Sequence, residues 1–197
     1  MKKISGALVL LIAALVASLA NPTLAQNDKK AAAILDAMSD KYKNLKTYKA
    51  AFTYNPEGGR SMKGDATVKG DKFRLKLAGQ EIFNDGKIMA TYIKETNEVN
   101  IQDYDPAEIG DLNPTQIYTA YKKGYKYSFV KESKEGGQTY ETVQLVPTTQ
   151  YSKVAKVLIK VNKADKSIKS WDILMGNGQH VVYKVDSFQP NINVADN

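Results

Sequence analysis

The chain has 197 residues, no cysteine, a single histidine and 28 basic against 21 acidic side chains, for a net charge of +7. Without cysteine there is neither a disulfide framework nor a thiolate metal centre, and one histidine leaves no material for a histidine cluster. The lysines are scattered at alternating positions rather than gathered into a stripe interleaved with aromatics, so they read as solvated faces and exclude a nucleic-acid partner.

Lys2 and Lys3 precede an apolar run over 7–19, and Thr23-Leu24-Ala25 follows Pro22. A basic start, an apolar centre and a small-residue end describe a secretory signal over 1–25, although the run approaches the length of a membrane anchor. Cleavage leaves one domain over 26–197 and lowers the net charge to +5. Gln26 stands where a tethered lipoprotein would carry a lipidated cysteine, so the expected product is a soluble monomer in the periplasm, needing no metal or cofactor.

From 28 to 46, Ile34, Leu35, Met38, Tyr42 and Leu45 recur at helical spacing, an amphipathic helix. At Tyr48 the period changes to two, and Tyr48, Ala50, Phe52 and Tyr54 mark a strand. Pro56-Glu57-Gly58-Gly59 turns the chain into strands over 61–69 and 71–78, the latter alternating Phe73, Leu75 and Leu77 with Lys72, Arg74 and Lys76. Short strands over 81–84, 87–93 and 98–103 are separated by Asp85-Gly86 and Thr96-Asn97. Asn113-Pro114 then caps a second helix over 116–122, inserted within the sheet. Alternation resumes through Tyr125, Tyr127 and Phe129, Val143 and Leu145, Val157 to Val161, Trp171 to Met175, and Val181 to Val185.

About ten or eleven hairpin-spaced strands with two helices predict an α+β, mainly β fold: one antiparallel sheet curved around its apolar face, with helices over that face. Composition does not separate a filled core from a cavity there. The first helix has an apolar stripe to bury, and the expected place is across Phe52, Phe73 and Leu75.

No catalytic residue is assigned. His180 follows a glycine turn and reads as an exposed hairpin position. Asp103 and Asp105 flank Tyr104 before Pro106, as turn residues do, and neither Gly58-Gly59 nor Gly136-Gly137 has the spacing of a phosphate cradle. The serines lie in no nucleophile elbow. Among 12 tyrosines, an apolar body with a polar tip suits the rim of a groove between lipid and water, or an ordinary half-buried strand.

Leu45-Lys46-Thr47-Tyr48-Lys49-Ala50-Ala51-Phe52-Thr53, Lys63-Gly64-Asp65-Ala66-Thr67-Val68-Lys69, Lys72-Phe73-Arg74-Leu75, and Asn84-Asp85-Gly86-Lys87 with Tyr92 and Glu98-Val99 occur in that order. In that order the chain resembles the LolA-type periplasmic outer-membrane lipoprotein carriers. The resemblance implies an unclosed, strongly curved half-barrel with a helical lid. It further implies that acyl chains of lipoproteins are carried in a hydrophobic cavity from the inner to the outer membrane, with an inner-membrane release complex and an outer-membrane receptor as partners. Under it, the acyl-chain contacts are Phe52, Tyr54, Phe73, Leu75, Leu77, Tyr92, Trp171 and Ile173 on strands and Ile34, Met38 and Tyr118 in the helices. Gly70-Asp71 departs from the basic-proline turn of many members, and the chain stops at Asn197 without a C-terminal segment common among them. A lipid-binding or lipid-sensing protein on the same half-barrel, and a secreted hydrolase, are the alternative functions.

Overall fold

The computed structural model describes residues 28–106, 113–149 and 152–195, and the signal segment expected over 1–25 lies outside them. Helix α1 spans Lys29–Lys43 and strand β1 Thr47–Pro56; β2 (Met62–Lys69), β3 (Lys72–Leu77), β4 (Gln80–Asn84), β5 (Ile88–Ile93) and β6 (Glu98–Asp103) follow as a meander. After a long connection come β7 (Tyr125–Glu135), β8 (Gln138–Pro147), β9 (Val154–Asn162), β10 (Ile168–Met175) and β11 (His180–Pro190).

All eleven strands form one sheet in the order β6-β5-β4-β3-β2-β1-β11-β10-β9-β8-β7, every pair antiparallel and the ends unjoined. This is an open half-barrel with a helical cover. The first and last strands pair at its centre, Tyr48 opposite Pro190 through Pro56 opposite Val181. Consequently β6 and β7, consecutive in sequence, stand at opposite edges. The segment expected inside the sheet therefore connects its two edges, and its described part, 113–124, lies over the concave face.

That segment is also less helical than the spacing predicts. Turns occupy 114–119 and a single 3-10 turn covers Ala120–Lys122. Asn113 does act as a cap: its Oδ1 accepts from the Thr115 N–H at 3.1 Å, and its carbonyl accepts from Gln116 and Ile117 at 2.9 and 2.8 Å. Yet Thr115 and Thr119 are poor helix formers and Gly124 ends the run, so too few residues remain to offset helix nucleation.

Helix α1 starts where Asp28 Oδ1 accepts from the N–H groups of Lys30 and Ala31 at 2.7 and 3.3 Å, and Lys41 and Lys43 favour its C-terminal end. Its stripe does not lie across Phe52, Phe73 and Leu75 as expected. Ile34, Leu35 and Met38 pack against Val143, Leu145, Ile159 and Val161 of β8 and β9. Three tethers hold it over that half of the sheet. Asp28 bonds the β7 backbone at Tyr127 and Phe129, Lys41 Nζ reaches Asp165, and the Tyr42 hydroxyl accepts from Ile168 N–H at 2.9 Å. Among the described residues, the other half of the concave face is left without an α-helix.

Candidate functional site

Directly paired residues on an antiparallel sheet share a face, so the register shows which side chains look inward. One inward row crosses six strands as Tyr54, Tyr183, Trp171, Ile159, Val143 and Phe129. Its far end forms the core beneath α1, and its near end emerges as open apolar surface. A second row, Ile82, Leu75, Ala66, Ala50 and Phe188, runs through the half that α1 leaves uncovered.

Among the described residues two cavities lie on the concave face, the larger mainly in that open half and the smaller along β7 to β11. The larger, about 430 Å³, is walled by Phe52, Phe73, Leu75, Leu77, Ile82 and Met89, roofed by Pro114, Ile117 and Tyr118, and closed at one end by Tyr42 and Tyr48. The smaller, about 300 Å³, lies among Tyr54, Tyr125, Val157, Ile173, Met175 and Val181. Ile117, Trp171 and Tyr183 border both, so Ile117 descends from the connecting segment onto the sheet and divides one apolar trough into two chambers. Among the described residues no charged side chain lines either chamber. Volumes of this size are typical of sites for small apolar ligands.

The floor is open because small residues lie there. Ala50 faces Ala66, and Phe52 faces Gly64. A Cβ at Gly64 would stand 2.6 Å from Phe52 Cζ and 2.7 Å from the Lys76 carbonyl oxygen, so only glycine lets the Phe52 ring lie flat against β2. Aromatic rings do the rest of the lining: Tyr54 and Tyr183 are 5.2 Å apart by ring centroid, as are Tyr42 and Phe188, while Tyr42 stacks on Tyr118 at 6.1 Å.

The hydroxyls of Tyr42, Tyr48 and Tyr121 are taken up by hydrogen bonds to neighbouring segments. Tyr48 donates to the Pro114 carbonyl at 2.5 Å and Tyr121 to Asp36 Oδ1 at 2.6 Å, which fastens the connecting segment to β1 at one end and to α1 at the other. Asn113, fully buried, donates to the Tyr104 hydroxyl at 2.8 Å. Burial pushes the Tyr42 hydroxyl up to about 12, and burial likewise raises Tyr48, Tyr118, Tyr121 and Tyr183, keeping all of them neutral at physiological pH.

Of the residues singled out from the sequence, Phe52, Phe73, Leu75, Leu77, Tyr118 and Trp171 line the larger chamber, and Tyr54, Trp171 and Ile173 the smaller. Ile34 and Met38 line neither, being buried between α1 and the sheet. Tyr92 is on the opposite face. It pairs with Glu81 and Val99, Glu81 pairs with Lys76, and its hydroxyl donates to Asn97 Oδ1 at 3.2 Å. Strand β5 is apolar on both faces, so alternation could not choose between Met89, which lines the cavity, and Tyr92. Ala50 and Ala66 were missed because small residues carry no apolar signal, and Ile117 because its role depends on which way the connecting segment crosses.

His180 is half-buried at the start of β11, 2.5 Å from Asp172 Oδ1 on the outer face. Among the described residues no three His, Cys, Asp or Glu side chains are grouped to hold a metal, and no helix is long and apolar enough to cross a membrane.

No curated protein matches the sequence. Solved structures share its fold at low identity. An uncharacterized conserved protein from Thermus thermophilus superposes with a TM-score of 0.59 at 14% identity, over 85% of this chain and 91% of that one. The lipoprotein LppX of Mycobacterium tuberculosis gives 0.52 at 11% identity, over 86% and 100%. The Pseudomonas aeruginosa MucA/MucB complex gives 0.52 at 15% identity, over 85% of this chain and 59% of that one. The family model for the outer membrane lipoprotein carrier protein LolA matches residues 21–179, and this chain belongs to that family.

Proposed function

We propose that the protein is a periplasmic carrier, exported by removal of residues 1–25, that shields the acyl chains of lipoproteins between the inner and the outer membrane. The observation that carries this reading is the divided apolar trough. Two adjoining chambers of about 430 and 300 Å³, with no charged group among the described residues that line them, are left unfilled in a protein whose remaining core is packed. Packed interiors leave few voids larger than a water molecule, so a void of this size calls for an apolar occupant.

The energetics favour the same occupant. Each methylene moved from water into an apolar site gains about 0.8 kcal/mol, so a lipoprotein leaving a membrane needs its chains covered. Phe52, Phe73, Leu75 and Leu77 supply the wall, Tyr118 the roof, and Trp171 the shared floor, with Tyr54 and Ile173 in the second chamber. Binding without catalysis fits a site whose polar side chains, among the described residues, are tyrosines, Trp171 and Gln179. Loading would come from an inner-membrane release complex and unloading would go to an outer-membrane receptor.

Native mass spectrometry of the protein purified from its own cells tests this. An acylated polypeptide bound at one to one is the expected result. A free lipid in its place would favour the lipid-binding alternative, and recovery of the empty protein alone, with no uptake of acylated lipoprotein in vitro, would overturn the reading.

A further inference from the structure

The two edges of the sheet are treated differently. Edge strand β7 is guarded: it carries Lys126, Lys131 and Lys134, its ladder is broken by a bulge between Phe129 and Lys131, and Asp28 bonds outward backbone groups of Tyr127 and Phe129. Among the described residues, edge strand β6 has none of these devices. It is Glu98-Val99-Asn100-Ile101-Gln102-Asp103, exposed along its whole length and paired with β5 without a bulge. Val99 and Ile101 are 57% and 68% exposed, among the most exposed large apolar residues.

Tyr104 N–H donates to the Lys87 carbonyl at 2.7 Å. With Ile88 opposite Asp103, this makes Asn100 and Gln102 the residues whose backbone bonds β5, and turns the N–H and C=O groups of Val99 and Ile101 outward. The outer face beside them continues as apolar surface, since Ile101 pairs with Ala90, Ala90 with Phe83, and Val99 with Tyr92.

We propose that β6 is a homodimer interface, in which the β6 strands of two copies pair antiparallel about an axis through Asn100 and join two half-barrels into one continuous sheet. The sequence of the strand selects this register. With Asn100 opposite its own copy, Val99 falls opposite Ile101 of the second copy on both sides of the axis. Glu98 then faces Gln102, and Asp103 faces Asn97. Centring the pair on Val99 would set Ile101 against Asn97, and centring it on Ile101 would set Val99 against Asp103. Of these three, only the Asn100 register gives both Val99 and Ile101 an apolar partner, and within β6 it opposes no like charges. It also uses the outward N–H and C=O groups of Val99 and Ile101 from each copy. The proposed dimer stands against the monomer that the sequence alone predicts, and its interface leaves both chambers untouched.

The chain has no native cysteine, which makes the register directly testable. Directly opposed residues in a non-hydrogen-bonded antiparallel pair have Cα atoms about 4.5 Å apart, inside the ~4.4–6.8 Å window for a disulfide. Asn100→Cys should oxidise to a covalent dimer at least tenfold faster than Val130→Cys, an exposed position on the β7 edge. Ile101→Lys, made in the Asn100→Cys background, should abolish that excess while leaving the circular dichroism spectrum unchanged. The unmodified protein should sediment as a concentration-dependent dimer. Equal oxidation rates for the two single-cysteine variants, or a monomer at every concentration up to that of the oxidation reaction, would overturn the proposal. Capture of an extended peptide by β6 in place of a second copy would overturn it equally.

Discussion

Leu75 and Lys76 are neighbours on β3 that the register places on opposite faces, Leu75 in the wall of the larger chamber and Lys76 outside, 3.2 Å from Glu81. Exchanging each for glutamate therefore makes the same charged side chain one residue apart, once inside the trough and once in water. Leu75→Glu removes a leucine's apolar contact with the ligand, about 1.5–3 kcal/mol when fully made, and at about 1.4 kcal/mol per decade this predicts a ~10–150-fold loss of affinity. A carboxylate in that wall also draws water into the chamber, which moves the loss toward the upper end. Lys76→Glu disturbs a surface ion pair worth about 0.2–1 kcal/mol of stability and leaves Arg74 on Glu81, so affinity should stay within about twofold. The assay is titration of a fluorescent long-chain acyl ligand, with urea midpoints recorded for both variants so that only folded proteins are compared. Leu75 is only half-buried, because it borders the larger chamber, so the variant should fold. Equal losses in the two folded variants would refute the assignment of faces, and no loss in either would refute the trough as the binding site.

Gly64→Ala should lower stability by about 1–3 kcal/mol in urea denaturation, the range for overpacking, because its Cβ meets the Lys76 carbonyl oxygen, which cannot give way, as well as the Phe52 ring. The same variant should weaken acyl binding, since the displaced ring can turn only into the larger chamber. At alkaline pH the buried tyrosines dominate: burial pushes the Tyr42 hydroxyl up to about 12 in the fold against about 10 when unfolded, so its contribution is intact below pH ~10 and is lost as pH rises toward 12, by up to roughly 3 kcal/mol. Urea midpoints flat from pH 7 to 9 and falling above 10, with tyrosinate absorbance appearing together with unfolding, are the expected observations. Asp28→Ala should cost about 0.5–2 kcal/mol as a lost helix cap. The Phe129 N–H, foremost, holds the Asp28 carboxyl below its ordinary range, so in the unmodified protein this contribution is present above pH ~4 and disappears as pH falls through the lowered value, a loss that the variant should not show.

The strands were legible because each lies next to its hairpin partner and alternates on one face. Phe73, Leu75 and Leu77 declare their side without reference to any other part of the chain, and β6 matches its expected span, 98–103. Helix α1 was legible from its stripe, but its position was not. Where the stripe lands depends on tethers from Tyr42 to Ile168 and from Asp28 to Phe129, contacts separated by more than a hundred residues that no local period encodes. Tyr92 shows the same limit at shorter range, since a strand apolar on both faces has no phase to read.

The division of the trough follows from the one pairing that is furthest from local, β1 with β11. Had these strands stood at the edges, the chain would have run through ten successive hairpins and the interval between Asp103 and Tyr125 would have been one more turn within the sheet. Pairing them at the centre moves β6 and β7 to opposite edges, so that interval must travel across the open side. At ~3.3–3.6 Å per extended residue it has on the order of 70 Å of reach. That is ample for the crossing, so the segment has length to spare for turns, and its turns bring Pro114, Ile117 and Tyr118 down onto Trp171 and Tyr183. A purely apolar roof would bind its ligand and the sheet with equal indifference. The hydroxyl anchors at Tyr48 and Tyr121 hold it at two ends and leave Ile117 between them, an apolar side chain that makes no polar tether, which is where a chain passing from one chamber to the other has to displace it.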